Sequence, residues 1–169
     1  MLSINKVGLE AVPVINALAR SIWPIAYKDV ISSEQIDYML ELMYSERSLS
    51  NQILNHGHNF IMAYDNGSPI GYASYAPKVM NNIASTSIYR LHKLYVSVGN
   101  QTKGTGRSLV DYIINDIKPA GATQLELNVN RYNKAVGFYQ KIGFIISREE
   151  LLDLGHNFYM DDYIMTLDF

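Results

Sequence analysis

Cysteine is absent from this chain of 169 residues, and so is any strong excess of charge of one sign. Without thiols the protein has no disulfide bonds, no thiolate metal ligands and no covalent cysteine chemistry. The formal net charge of −2 provides no general basic field, so we expect no nucleic-acid partner, although a local basic patch stays open. Affinity for a phosphate-bearing ligand therefore has to come from a local arrangement of backbone and side chains.

Long apolar runs and low-complexity tracts are also missing. No stretch reaches the roughly 18 apolar residues needed to span a bilayer, and the N-terminus has no basic segment followed by a long apolar one. A cytoplasmic location without a membrane partner is therefore the expectation. With 48% hydrophobic and 18% charged residues the composition is typical of a globular protein, and the length predicts a single domain over residues 1–169.

The first half of the chain changes from strand to helix and back to strand. Leu2 to Val7 alternate apolar and polar side chains, and helical spacing follows. Ser32 and Gln35 have the spacing of a capping box at the start of a second helix. Asn66-Gly67 separates two apolar runs, which predicts a tight hairpin turn.

The second half continues with a strand at about 86–96, a glycine-rich loop, a helix, a strand near 125–129 and a last helix near 135–143. Pro119 and Gly121 end the first of these helices. The tail from Phe158 to Leu167 reads as a final strand after a hairpin. Together these elements predict a mixed sheet with helices on both faces.

The loop from Gln101 to Gly106, here called the phosphate turn, leads directly from a strand into an amphipathic helix. Closely spaced glycines at a helix start let an anion approach bare backbone N–H groups, although an ordinary glycine turn could also cap the helix. A P-loop is disfavoured, since in the frame from Gly99 to Gly104 the next residue is Thr105, where that motif needs Lys. A dinucleotide fingerprint is disfavoured because Leu109 occupies the place of its third Gly, although Glu126 lies about where its ribose-binding acid would fall.

Two blocks of the sequence together resemble the acyl-CoA pocket of the GNAT superfamily of acyltransferases. In that family a strand ending in an apolar pair plus Val precedes a loop of the form Gln/Arg-x-x-Gly-x-Gly/Ala, and Leu94-Tyr95-Val96 followed by the phosphate turn matches both parts. The second block, Asn133 to Phe144, is similar to the family's Asn-x-Ala…Phe-Tyr-x-Lys-x-Gly-Phe signature. Two independent blocks in the right order argue against chance agreement.

The resemblance implies a GNAT-like α/β (α+β) fold, with a mixed, mostly antiparallel central sheet of about seven strands and helices on both faces. It also implies acetyl-CoA as co-substrate without a metal, and direct transfer in a ternary complex to a primary amine: a small amine, a polyamine, or an amino-acid or peptide amine. The tail from Gly155 to Met165 looks like the end of PaiA-type polyamine acetyltransferases. The cofactor contacts that it carries over are Leu94, Tyr95, Val96, Gln101, Thr102, Lys103, Gly104, Thr105, Gly106, Arg107, Asn133 and Tyr139.

The resemblance also assigns catalytic roles. Tyr139 matches the family's Tyr that protonates the departing CoA thiolate, which a phenol with a pKa near 10 can do only if the site holds the thiolate close. His92 lies four residues before Val96, where several amine acetyltransferases carry a Glu that helps deprotonate the amine. A His suits that role near neutral pH, directly or through a water. Glu126 and the Tyr-rich C-terminal strand stay open as other sources of a base.

Strand parity places His92, Leu94 and Val96 on one face of their strand and Lys93 and Tyr95 on the other, unless a bulge intervenes. The family does have a bulge in this strand, which exposes backbone N–H groups to the thioester. Near Leu94 and Val96 those groups would form an oxyanion site for the acetyl carbonyl.

Several alternatives stay open. A non-catalytic acyl-CoA sensor would keep the phosphate turn without needing Tyr139, and a nucleotide-binding module would prefer ATP or NAD. The segment 23–44 is expected to form the acceptor wall. Near the end of the sheet, Asp161, Asp162 and Glu149 could bind a cationic amine, with solvated hairpin charges as the commoner explanation. Exposed strand edges leave a homodimer open.

Overall fold

Seven strands form one sheet in the computed structural model, which describes residues 1–169 apart from the side chain of Thr102. The contact predicted for Thr102 therefore lies outside the described residues. In chain order the strands are β1 (Leu2–Val7), β2 (Asn59–Asp65), β3 (Ser68–Met80), β4 (Ile83–Val96), β5 (Gln124–Asn130), β6 (Ile145–Gly155) and β7 (Phe158–Asp168). Their order across the sheet is β1-β2-β3-β4-β5-β7-β6. Neighbouring strands pair antiparallel except β4 and β5, which are parallel. The prediction of a mixed, mostly antiparallel sheet is therefore confirmed.

Five helices cover the sheet on both faces, which confirms the predicted architecture. They are α1 (Val12–Ala26), α2 (Ser33–Tyr44), α3 (Glu46–Leu54), α4 (Thr105–Ile117) and α5 (Ala135–Lys141). The first three pack with Phe60 and Tyr72 in one apolar cluster, and α4 and α5 pack with Leu125 and Leu127 in a second one. Within the described part of the chain, no helix is long and apolar enough to cross a membrane.

Local signals set two of the predicted boundaries. The Ser32 hydroxyl accepts a hydrogen bond from the Gln35 N–H at 3.1 Å, so α2 begins at its predicted cap. The other half of the capping box does not form, because Gln35 Nε2 donates instead to the Tyr159 carbonyl oxygen at 2.7 Å. Asn66 and Gly67 both have positive φ, 50° and 82°, as a tight hairpin between β2 and β3 requires.

The parallel pair β4 and β5 separates partway along its length. Described pairing between the two strands runs from Ile88 opposite Gln124 to Leu91 opposite Leu127 and ends there. The next residue, His92, is the extra residue of a β-bulge, since Ser74 and Tyr75 of β3 face Lys93 and Leu91. A bulge bends its strand, so β4 turns away from β5 and a cleft opens between them.

Candidate active site

The cleft between the diverging strands has a volume of about 180 Å³. Leu94 and Tyr95 of β4 line one side, and residues of β5 line the other. Tyr139 of α5 and Asp162 of β7 also line it. It is smaller than the roughly 300–1,000 Å³ of pockets that enclose drug-sized ligands, so it fits the reacting ends of molecules rather than a bulky acceptor.

Aromatic side chains form the wall on the α1 and α2 side. Trp23 stacks on Tyr27 with ring centroids 4.3 Å apart and lies 5.5 Å from the rings of both Tyr44 and Tyr95. The hydroxyls of Tyr27 and Tyr95 are 2.8 Å apart and share a hydrogen bond. The wall comes from the segment 23–44 together with β4, and it holds Tyr95 in a fixed orientation at the edge of the cleft.

The phosphate turn adopts the conformation that its glycines suggested. Gln101–Lys103 form one turn of 3₁₀ helix, and Gly104 follows with φ +75° at the start of α4. Gln101 Nε2 donates to the Val96 carbonyl oxygen at 3.1 Å, which ties the turn to the end of β4. The space around Gly104 is open, since a Cβ built there has no neighbour within 4 Å. The N-terminus of α4, with its unpaired N–H groups and partial positive charge, is thus accessible to an anion.

The other predicted residues of the turn differ in exposure. Thr105 is buried, whereas Lys103 and Arg107 are exposed. Lys103 Nζ lies 3.3 Å from Asp65, and Arg107 pairs with Asp111 at 3.7 Å within α4. Both are surface pairs of small energy, so either cation can leave its partner for a phosphate at little cost.

Close packing fixes the angle between α4 and α5. A Cβ at Gly106 would lie 3.0 Å from the ring of Phe138, so glycine lets the two helices approach. Phe138 precedes Tyr139, whose ring is 7% exposed and packs edge-on against Phe144. Burial raises the pKa of Tyr139, so its phenol is protonated at neutral pH.

Asn133 serves the start of α5. Its Oδ1 accepts a hydrogen bond from the Ala135 N–H at 2.9 Å, which is the capping contact that its sequence position suggested. The residue also lines the cleft. Capping and ligand contact are therefore compatible at this position.

His92 does not lie where simple parity placed it. Because His92 is the bulge residue, its ring stacks on His58 at 4.0 Å, and His58 in turn stacks on Phe60 of the cluster under α1–α3. The bulge is the exception under which His92 was not expected to share a face with Leu94 and Val96, and it takes His92 off that face. His92 is an exposed residue, yet the desolvation of its ring by the surrounding side chains and the neighbouring His58 lower its pKa. A neutral imidazole results, which can accept a proton but is a weak base.

Lys93 is a buried lysine, and no pattern in the sequence predicts its burial. Only 7% of it is exposed, and its Nζ donates to Gln52 Oε1 at 2.7 Å. The same atom lies over the rings of Tyr44 and Phe60, at 5.3 and 5.8 Å from their centroids. Burial lowers the pKa of Lys93 to about 7.

Glu126, the acid that the sequence left open as a base, belongs to a cation network instead. Its carboxylate lies 2.8 Å from Lys78, 3.4 Å from Arg148 and 3.9 Å from Arg90. Against the effect of burial, Lys78 and the two arginines lower the pKa of Glu126. A carboxylate stabilised in this way is a poor proton acceptor.

Asp162 is the carboxylate that the fold brings to the cleft. It is 4% exposed, and its Oδ2 accepts a hydrogen bond from Asn128 Nδ2 at 3.3 Å. Among the described residues, nothing donates to its Oδ1. Burial, with help from Glu150 and Asp161, raises the pKa of Asp162 to about 6, although the Asn128 hydrogen bond and Arg90 act in the opposite direction.

Comparison with known proteins gives a consistent result. The acetyltransferase (GNAT) domain model matches residues 27–160. A curated relative, the spermidine N(1)-acetyltransferase of Thermoplasma acidophilum, is 27% identical over 148 residues, which are 85% of this chain and 88% of the relative.

Solved structures agree over the whole length. The PaiA N-acetyltransferase of Thermoplasma acidophilum in complex with coenzyme A superposes with a TM-score of 0.80 and 25% identity, covering 100% of this chain and 99% of that one. A GCN5-related N-acetyltransferase from Rhodopseudomonas palustris has a TM-score of 0.81 at 18% identity, covering 99% and 95% of the two chains. At that identity the second likeness shows the fold alone.

Proposed function

Because the chain belongs to the GNAT family and is an acetyl-CoA-dependent acetyltransferase, we propose that it acetylates a small primary amine by direct transfer in a ternary complex. The observation that carries the proposal is a cleft lined by β4, the strand that leads into the phosphate turn, by Tyr139 and by the buried carboxylate of Asp162. The volume of about 180 Å³ and the carboxylate of Asp162 in the lining favour a small cationic amine such as a polyamine. The similarity to a spermidine N(1)-acetyltransferase supports the same class.

The residues present fit acetyl-CoA. Open space at Gly104 and the N-terminus of α4 suit its pyrophosphate, and Lys103 and Arg107 lie beside them. Beyond Leu91, the edge of β4 that faces β5 has no partner strand in the described pairing, although the other edge stays paired with β3. This free edge can bind the extended arm of acetyl-CoA. When bound, acetyl-CoA supplies an acetyl thioester that a neutral amine can attack.

The backbone of β4 supplies the electrophilic help. Alternate N–H groups of the strand after the bulge face the cleft rather than a neighbouring strand, and we assign those near Leu94 and Val96 to the carbonyl oxygen of the acetyl group. Fixed donors of this kind are worth about 3 kcal/mol in a transition state, because they need no reorganisation as charge develops.

Tyr139 supplies the proton for the departing sulfur. Burial raises the pKa of the phenol, so Tyr139 is protonated when the thiolate leaves. The same dry surroundings raise the basicity of the thiolate, so the pKa values of donor and acceptor shift in the same direction. For the proton on the amine, the sequence predicts His92 as acceptor, directly or through a water. His92 lines the cleft and its imidazole is neutral, but its lowered pKa makes it a weak base for this role.

The experiment is product detection. Purified protein is incubated with acetyl-CoA and, in turn, spermidine, a simple monoamine, an amino acid and a peptide with a free N-terminus, and products are identified by mass spectrometry. We expect N-acetylated product with spermidine or the monoamine. Tyr139→Phe should keep acetyl-CoA binding and lose about 100-fold in turnover. Tyr132→Phe, at a tyrosine that is 71% exposed, is the matched control and should be unaffected.

A protein that binds acetyl-CoA and acetylates none of these amines would contradict the proposal and support the acyl-CoA sensor instead. A Tyr139→Phe variant with wild-type turnover would remove Tyr139 from the mechanism while leaving the activity in place.

A further inference from the structure

We propose that Asp162 binds the ammonium group of the acceptor amine and takes its proton, so that it is a catalytic residue of the transfer. This inference rests on the proposed amine acetylation and names the group in the cleft that prepares the amine for attack. The sequence offers Asp162 only as one of three acidic residues that could bind a cationic amine, and neither the motifs nor the family resemblance assigns it a catalytic role.

The first argument is an unused acceptor atom. Asp162 is 96% buried, lines the cleft, and has no donor to its Oδ1 among the described residues. A buried carboxylate oxygen without a partner is costly, so it calls for a ligand that brings a donor. A primary ammonium has three N–H donors and a positive charge, and it satisfies both needs at once.

The second argument is that the other carboxylate oxygen is fixed. Asn128 Nδ2 donates to Asp162 Oδ2 at 3.3 Å and to Glu150 Oε2 at 2.8 Å, so a single amide holds two carboxylates side by side. Asn128 Oδ1 is itself engaged by Arg90. The amide therefore cannot turn to satisfy the free oxygen, and Asp162 keeps one oxygen held and one available.

The charges around Asp162 suit a proton acceptor. Glu150 on β6 and Asp161 on β7 are acidic neighbours, whereas Arg90 on β4 is the basic one and is shared with Glu126. Tyr27, which follows α1, faces the same carboxylate. Burial raises the pKa of Tyr27, and the negative charge of Asp162 raises it further. The acidic neighbours raise the basicity of the Asp162 carboxylate.

Asp162 is also the stronger base of the two candidates in the cleft. Its pKa is raised to about 6, whereas burial and His58 lower that of His92. A base with a pKa near the working pH is both ionised and able to hold a proton, which is the optimum for general base catalysis.

The chemical step balances as follows. Asp162 takes one proton from the ammonium and later releases it to solvent. The freed lone pair on nitrogen forms the C–N bond as the C–S bond of the thioester breaks. The second nitrogen proton, lost as the amide forms, restores the phenol of Tyr139, which has given its own proton to the sulfur.

The test uses the full chain, Asp162→Asn, and Glu150→Gln as the matched control. The control removes the other carboxylate on Asn128 but leaves the free oxygen of Asp162 in place. The first measurement is kcat/KM for spermidine between pH 5 and 8. The second is calorimetric titration of spermidine into the CoA-saturated protein, which needs no turnover.

We expect kcat/KM of the wild type to fall about tenfold per pH unit below pH 6, where Asp162 becomes protonated. In Asp162→Asn, kcat/KM at pH 7.5 should be lower by about 100-fold or more, and the fall of kcat/KM below pH 6 should disappear. This variant should bind spermidine at least about tenfold more weakly, with its affinity for acetyl-CoA unchanged. Glu150→Gln should keep kcat/KM within about threefold, with its acid limb at lower pH because a neighbouring negative charge is gone.

Each result decides the matter. Equal kcat/KM and equal spermidine affinity in Asp162→Asn, with an active wild type, would overturn the inference and leave the acetyltransferase activity standing. Asp162-dependent spermidine binding without any acetylation would support the ammonium site and refute the proposed activity. A wild type that binds acetyl-CoA but neither binds nor acetylates spermidine or the other amines would overturn both.

Discussion

Replacing Asp162 by Asn should make the protein more stable at neutral pH, even as it reduces activity. The folded state raises the pKa of this carboxyl from 3.8 to about 6. Between these values the folded protein holds a proton that the unfolded chain has already released. The wild type therefore loses stability as the pH rises from about 4 to 6, and it keeps that deficit above pH 6.

The size of the effect follows from the same difference. About two pH units at about 1.4 kcal/mol each give roughly 3 kcal/mol as the cost of ionising Asp162 in the folded protein. An Asn amide at the same place lacks partners for its own N–H groups, which returns about 1–2 kcal/mol of that gain. We therefore expect Asp162→Asn to stabilise by about 1–3 kcal/mol at pH 7.5, or about 2–10 °C in Tm, and not at pH 4.

The assay is thermal and urea unfolding of both proteins at pH 4, 5, 6 and 7.5. Asp161→Asn is the control, because the neighbouring Asp161 is partly exposed and lies 2.7 Å from Arg131. Loss of that ion pair should leave stability unchanged or slightly reduced. A variant Asp162→Asn that is less stable than the wild type at pH 7.5, or equally stabilised at pH 4, would refute the reasoning.

Three further results are expected. Lys93→Met should stabilise the protein by about 2 kcal/mol at pH 7, because burial lowers the pKa of Lys93 from 10.5 to about 7. This figure allows for the loss of the hydrogen bond to Gln52. In urea unfolding the gain in stability should shrink as the pH rises toward 10. Gly71→Ala should lower the free energy of unfolding in urea by about 1–3 kcal/mol, since its Cβ would lie 2.8 Å from the carbonyl oxygen of Tyr95. Gly137→Ala, in a helix with open space around it, should raise that free energy by up to about 1 kcal/mol. In a thermal shift assay, acetyl-CoA or CoA at a hundred times its Kd should raise the Tm by about 5–10 °C, and a larger shift with ATP or NAD would contradict the assignment of the phosphate turn.

Much of the fold could be predicted because its signals are local. Asn66-Gly67 needs only its own backbone preference to form a hairpin, and Ser32 caps α2 with its own hydroxyl. The phosphate turn is likewise a contiguous segment whose glycines and following helix are visible in the sequence. Where a partner came from far along the chain, the prediction failed: Gln35 bonds Tyr159 rather than closing its capping box.

The site depended on distant contacts that no local pattern reveals. A one-residue bulge moved His92 to the side of His58 and Lys93, because strand parity changes with a single extra residue. The sequence allows Asp162 either to bind a cationic amine or, as the commoner explanation, to be a solvated hairpin charge, and it does not show which. Its burial comes from the register of β7, which sets it between Asn130 of β5 and Glu150 of β6.

The central claim is direct acetyl transfer to a small amine, and initial-rate kinetics test it most directly. Acetyl-CoA and spermidine, or the best amine of the panel, are varied together, and the intact protein is checked for bound acetyl groups by mass spectrometry. The account predicts intersecting double-reciprocal lines and no acetylated protein, because both substrates occupy one cleft at the same time. Parallel lines with an acetylated protein would contradict it.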